Sequence, residues 1–344
     1  MTPPPSNSSS AGGAEEERCI VNDQMGAFIV LYILIFIISL PGNLLSLWAF
    51  IHSHRAKQSI SVYLVNLLVS DLLLTLALPF KILKDLGVAP WGLMVFHCQA
   101  SAVTVYISLY ASILFLAFIT TDRYLQESQS LQSLRLQEVG FARLLSLIIW
   151  LLLLLIMLPN MALPIQQVQP QRFLSCSALK AGVSLHWHAL TVFLCMALFL
   201  NASAAVLLSC GLALKRLLGS RDDPRRRAGA RRAAASVAAL AAAYVVAFVP
   251  YHAVRTPYTL AQAKVITDCR TKRRLFLAKE WTLLLAVLHL CFDPLLCCRL
   301  LPPLRQTVSE ALRCRTNRTV SDPEEQAAEE TLQPATAAQQ EAVL

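Results

Sequence analysis

The chain has 344 residues, 56% of them hydrophobic and only 15% charged, where soluble domains carry about 25% charged residues. With a mean hydropathy of +0.54, this composition excludes an ordinary soluble domain. The formal net charge of +9 sits largely in one loop, so it does not argue for a nucleic-acid partner.

In chain order, the tail is expected over 1–25, and its residues 1–22 have no basic start and no apolar core. No cleavable signal peptide is therefore expected, and the first apolar run is expected to act as the anchor. Asn7-Ser8-Ser9 in this tail is a glycosylation sequon. Apolar runs follow near 26–51, 60–86, 98–121, 141–164, 185–214, 233–260 and 275–298. Each is long enough to cross a bilayer, which takes about 20 helical residues. Lipid offers no hydrogen-bond partners, so such runs must be helices or strands of a closed barrel. They lack period-two alternation and are too long for barrel strands. The predicted fold is an all-α membrane protein: a seven-transmembrane helix bundle over 26–300, a short amphipathic eighth helix at 301–314 and a disordered tail at 315–344.

Lys and Arg set the predicted orientation. One face, made of the loops 52–59, 125–140 and 215–232 and the tail after 298, holds 18 of the 30 basic residues when Arg123 and Arg143 are counted with it. The positive-inside bias puts that face in the cytoplasm, leaving the N-terminus extracellular and the C-terminus cytoplasmic in a multi-pass plasma-membrane protein.

Polar residues inside the runs need a reason to be there. The third run ends in Asp122-Arg123-Tyr124, although Asp and Arg each cost roughly 2.5–3.5 kcal/mol at a bilayer centre and less near the interface. Asp71 is expected to point into the bundle, where Asn43, Ser112 and Asp293 surround it. The outer half of the bundle is basic. Arg255 lies one helical turn above His252, facing a cavity with Tyr258, while Tyr106 and Tyr110 face it from the third helix. Arg255 and Lys279 are the residues expected to grip a phosphate or carboxylate, Arg by bidentate contact and Lys as a point charge. Pairing of Lys279 with Glu280 or Asp268 is the competing reading. Cys19, Cys98, Cys176 and Cys269 fall on the outer side, where disulfides persist, and four cysteines allow three pairings. Cys314 follows an amphipathic stretch and is a palmitoylation candidate.

Several of these residues together resemble a known family. Gly42-Asn43, Asn66 with Asp71, Asp122-Arg123-Tyr124, Trp150 with Pro159, Phe248-Val249-Pro250-Tyr251-His252 and Asp293-Pro294 look like the helix-by-helix motifs of rhodopsin-like (class A) G-protein-coupled receptors. The resemblance covers about 26–314. His252-Ala253-Val254-Arg255, Lys279-Glu280 and Asn201 in place of a helix-five proline are similar to the purinoceptor-like cluster that holds the platelet ADP receptor. Gly87 to Trp91, Phe248 to Tyr258 and Val265 to Cys269 most resemble an orphan receptor of that cluster.

The resemblance implies disulfides Cys98–Cys176 and Cys19–Cys269 and a heterotrimeric G-protein partner of the inhibitory Gi class; Thr316, Thr319 and Ser321 in the tail are candidate phosphorylation sites for arrestin recruitment, as are most exposed Ser and Thr residues. Leu131 and the 225–232 stretch are the expected G-protein contacts. Arg123 is expected to pair with Asp122 at rest and to swing to the G protein on activation, with Asp293-Pro294 part of the same switch. No cofactor is expected beyond an allosteric sodium ion on Asp71, Ser112, Asn43 and Asp293. That site departs from the family pattern, because His289 and Leu290 stand where Asn and Ser are usual. Ser209 and Cys297 replace two tyrosines that catch the freed arginine, and Ala230 stands where an acid would lock it. The ligand is expected to be an anionic small molecule, nucleotide-like or lipid, or a short acidic peptide.

Other classes fit less well. A retinal protein needs a lysine where Val287 stands. A transporter more often shows repeats and broken helices. His186-Trp187-His188 has spacing too short for one helical face and no acid at metal-site distance, so no enzyme is expected. The remaining competitor is a non-signalling decoy or heterodimer partner, favoured by the missing tyrosines.

Overall fold

A computed structural model describes residues 25–52, 58–128, 138–166, 176–180, 182–219, 224–263, 265–266, 268–301 and 304–310. Seven helices among them are long and apolar enough to cross a membrane: α1 (Gly26–His52), α2 (Ser59–Asp85), α3 (Trp91–Gln126), α4 (Val139–Ala162), α5 (Gly182–Gly219), α6 (Arg227–Gln262) and α7 (Cys269–Leu300). The backbone of α6 is helical from Pro224. Residues 304–310 are also helical, the described part of the predicted eighth helix. Residues 1–24 and 311–344, which hold most of the predicted N-terminal tail, the end of the predicted eighth helix and the predicted C-terminal tail, with Asn7, Cys19, Cys314 and the tail phosphorylation sites, lie outside the described residues, as does Leu131.

The packing is that of a bundle in lipid. Large side chains such as Val30, Ile37, Leu155, Leu207 and Phe292 point outward, while Asn43, Asp71, Ser112 and Asp293 are buried. Each backbone polar group in hydrocarbon must find a partner inside the protein. Pro294 in α7 has no N–H to give the carbonyl of Leu290 four residues earlier. Asn43 of α1 supplies the missing donor: its Nδ2 reaches the Leu290 carbonyl at 3.0 Å and that of Ser39 at 2.9 Å. A Cβ on the neighbouring Gly42 would stand 3.4 Å from Pro294 Cγ, at ordinary van der Waals contact, so α1 lies close against this site.

Helix ends follow ordinary capping chemistry. Gly87, with φ 69°, ends α2: its N–H reaches the Lys84 carbonyl at 3.0 Å, and that of Val88 reaches Leu83 at 3.4 Å. This is the left-handed glycine cap with paired backward bonds. Asp268 caps α7 by accepting from Thr271 N at 2.7 Å and Thr271 Oγ1 at 2.6 Å. Those bonds hold its carboxyl below the usual range.

In α3 a π turn at His97–Ser101 presents Cys98, which is disulfide-bonded to Cys176 with Cα atoms 5.3 Å apart. The loop after α4 is further pinned by Gln166 N bonding the Leu179 carbonyl at 2.8 Å. Cys269 is also disulfide-bonded, to a cysteine outside the described residues. Trp150 Nε1 donates to Asn66 Oδ1 at 2.9 Å, so the polar residues singled out in α2 and α4 meet.

Candidate functional site

At the disulfide end, α2 to α7 surround a cavity of about 1100 Å³, its open mouth included. Its wall holds Lys81, Lys84, Lys180, Arg255 and Lys279 but, of the acids among the described residues, Glu280 alone. Five charges form an alternating chain along one side. Lys84 Nζ lies 2.9 Å from Asp85, Asp85 is 2.8 Å from Lys81, Lys81 is 3.0 Å from Glu280, and Glu280 also pairs with Lys279. Three cations against two anions leave one positive charge over.

Arg255 stands apart from this chain. It is only 3% exposed and has no carboxylate partner among the described residues. Its Nη2 contacts His188 Nε2 at 3.1 Å. The guanidinium also lies over the rings of Tyr106 and Tyr258 at 5.1 and 5.8 Å. A buried charge ordinarily pairs with an opposite one, so this cation is left with capacity for an anion. Lys180, outside the spans, donates to Asn160 Oδ1 at 3.4 Å. Burial first, and then the field of Arg255, bring its amine down to about 8.

Tyr106, Tyr110, Tyr258, Arg255 and Lys279 line the cavity as predicted, but His252 does not. It sits one turn deeper, its Nε2 3.1 Å from Tyr110 Oη and its ring stacked on Phe199 at 3.8 Å. Tyr110 lies between it and the space above. Lys279 is bound to Glu280 and lies over Phe276 at 4.8 Å and Tyr258 at 5.3 Å, while the other named partner, Asp268, caps α7. Sequence reasoning misses His188, which it weighs only as a metal ligand, and the part played by Lys81. The Lys81/Asp85 spacing of four is legible; the link from Lys81 to Glu280 on another helix is not.

Below the cavity lies the polar core. Ser112 Oγ donates to Asp71 Oδ1 at 3.2 Å. His289 Nε2 lies 3.4 Å from Asp71 Oδ1 and 4.0 Å from Asp293 Oδ2, while its Nδ1 donates to the Ala286 carbonyl. Leu288 interrupts the regular turn of α7 just before it. Two features bear on the predicted sodium set. Asn43 spends its amide hydrogens on backbone carbonyls, because Pro294 leaves one without a donor, and keeps its Oδ1 buried with no hydrogen-bond partner. Asp71, His289 and Asp293 form a buried cluster able to hold a metal ion, with an imidazole nitrogen among the oxygens that a hard cation prefers.

At the opposite end, Asp122 and Arg123 each engage further partners. Asp122 accepts from Ser59 Oγ at 2.7 Å and from Gln126 Nε2. Arg123 donates to the Leu300 carbonyl and, at 3.5 Å, to Gln126 Oε1. Gln126, one turn on, spans the two, because an amide carries both donor and acceptor. Tyr124 is half-buried beside them. Ser209 contacts Thr121 Oγ1 at 3.2 Å, and Cys297 and Ala230 are buried, so no tyrosine or acid stands at these three positions.

A bundle of seven spans, a loop bridged to α3 and an Asp-Arg-Tyr end on that helix define a seven-helix membrane receptor. The family model "7 transmembrane receptor (rhodopsin family)" matches residues 42–296, and the chain belongs to that family. It is similar to G-protein coupled receptor 171 of Homo sapiens, 44% identical over 89% of this chain and 93% of that protein. The Mus musculus counterpart is 46% identical over 85% and 91% respectively. Purinoceptor 13 of Homo sapiens is 36% identical over 78% of this chain and 76% of its own length. The resemblance read from the motifs is thus borne out for the family and the purinoceptor-like cluster, and the chain is a multi-pass membrane receptor rather than an enzyme.

Proposed function

We propose that this receptor binds an extracellular anion, a nucleotide-like molecule, a lysophospholipid or a short acidic peptide, and drives nucleotide exchange on a Gi-type G protein. The observation that carries the reading is Arg255: a buried guanidinium on the cavity wall without a carboxylate partner among the described residues. Lys180 and Lys279 add field to the same space, which concentrates anions and speeds their capture. In this reading the disulfide end faces outside and the Arg123 end faces the cytoplasm, in line with the exposed Arg231 and Arg232 beside Arg123's end of α6.

Ligand binding then favours one of two packings of the bundle, and the shift is read at Arg123. The test is cyclic-AMP suppression in cells expressing the chain, with and without pertussis toxin, beside Arg123→Ala. Anionic candidates are then applied to the chain and to Arg255→Gln. Toxin-sensitive responses abolished by both variants support the reading. A ligand response that survives Arg255→Gln at full potency refutes the anion site.

A second reading is a receptor-like decoy or heterodimer partner. Ser209, Cys297 and Ala230, which remove the groups expected to latch or lock Arg123, favour it. An identified ligand that binds a surface-expressed chain and moves no G protein decides for this alternative.

A further inference from the structure

Asp71 on α2 and His289 and Asp293 on α7 meet in the polar core, each more than nine-tenths buried. His289 and Asp293 are four residues apart and so share one face of α7, and Asp71 meets that face from α2. One ligating atom of each lies within 4.8 Å of the other two. The ion-pair partner of both carboxylates is His289, and no lysine or arginine among the described residues joins them.

The bonding around this cluster leaves its ligating atoms free. His289 Nδ1 donates to the Ala286 carbonyl, so in the neutral ring the proton sits on Nδ1 and a lone pair at Nε2 faces the carboxylates. A ligating imidazole is ordinarily fixed in this way, its other nitrogen donating to a carbonyl. Ser112 orients Asp71 by donating to its Oδ1. Asp71 Oδ2, Asp293 Oδ2 and His289 Nε2 are buried with no hydrogen-bond partner among the described residues, and so is Asn43 Oδ1. Buried polar atoms without partners are costly, and a cation shared among them relieves that cost.

We propose that Asp71, His289 and Asp293 hold a divalent transition-metal ion of the zinc type, which ties α2 to α7, in place of the sodium ion that the resemblance implies. Charge favours the dication: two carboxylates and a neutral imidazole carry two negative charges, which zinc cancels and sodium leaves half unmet. Ligand type favours it too, because imidazole suits zinc and its neighbours while hard cations take oxygen throughout. So does spacing. Ligands about 2.1 Å from a tetrahedral zinc stand about 3.4 Å apart. His289 Nε2 is 3.4 Å from Asp71 Oδ1 and 4.0 Å from Asp293 Oδ2, so of these two gaps the second alone has to tighten. Three protein ligands leave the fourth position to water.

The test uses the full chain, purified in detergent and stripped with EDTA, with zinc chloride as the probe. Equilibrium dialysis measures bound zinc, and a thermal melt is followed in parallel. The chain is expected to take up one tight equivalent and to melt several degrees higher, as for any ion that binds the folded state. Sodium and magnesium chloride at the same concentration should leave the melt unchanged. His289→Asn and Asp293→Asn each remove one ligand and should weaken zinc uptake at least tenfold, since even the outer partners of a metal ligand are worth that much. Both should also lose the thermal shift. Cooperative melting of each variant without metal checks that it is folded. Tight uptake that both variants retain would place the zinc on thiols or surface histidines and overturns the proposal. No tight equivalent in the unsubstituted chain overturns it as well, and so does a shift that magnesium reproduces.

Discussion

The imidazole of His289 on α7 reaches across the bundle to Asp71 on α2, Nε2 to Oδ1 3.4 Å, with both side chains buried. It thereby stands where the family resemblance would put an inorganic cation. Sodium is therefore expected to leave the melting temperature of the purified receptor unchanged when exchanged for choline. His289→Asn removes the ring and opens an oxygen-lined space, and this variant should gain a sodium-dependent rise of a few degrees. A sodium response already present before the substitution would sink the idea.

Lys81 is the centre of the ion chain, bonded to Asp85 and Glu280 at once. Lys81→Met leaves both carboxylates facing fewer cations in a buried setting. Removing one partner from such a network costs about 3–5 kcal/mol. A thermal melt should show a loss of several degrees, partly restored when Glu280→Gln is added, because one stranded charge is then gone.

Lys180 gives the cavity a pH dependence. Burial and Arg255 hold its amine at about 8 against an ordinary 10.5. It is therefore charged below that pH and becomes neutral as pH rises through it. Affinity for an anionic ligand should fall between about pH 7 and 9 in an equilibrium binding assay. Lys180→Arg stays charged throughout, so its profile should be flat over the same window.

Gln126 bridges Asp122 and Arg123 at the far end of α3. Gln126→Leu keeps the helix and removes both bonds. At about 1 kcal/mol of net stabilisation per bond, the resting packing should lose roughly fivefold or more in population. Basal nucleotide exchange on reconstituted Gi should rise accordingly, while the contacts Arg255 makes in the cavity stay as they are.

Cys297 is buried where the resemblance puts a tyrosine. Cys297→Tyr restores a hydroxyl able to catch Arg123 in the active packing. Agonist-driven nucleotide exchange should increase severalfold; an unchanged maximal response would show that the missing latch does not limit coupling.

Much of this architecture is legible in the chain itself. Seven apolar runs dictate seven helices because lipid accepts no unpaired backbone. The Asp-Arg-Tyr end and the Asp-Pro of α7 stand out because charge and proline are tolerated in such helices only where a neighbour satisfies them. Arg255 stands out because a cation within an apolar span needs an anion or a water-filled cavity to face.

What the sequence could not decide were contacts between helices far apart in the chain. The apolar pattern says which residues cross the membrane but not the rotation of each helix about its axis. That rotation puts His252 under Tyr110 rather than in the cavity, joins Lys81 to Glu280, hands Asn43 to the carbonyl that Pro294 leaves unpaired, and turns Asn201 toward lipid. Composition and periodicity determine that these polar groups exist at given depths. Only packing decides whether each meets a partner, and Arg255 on the cavity wall, which meets no carboxylate among the described residues, is where the protein has room to bind something else.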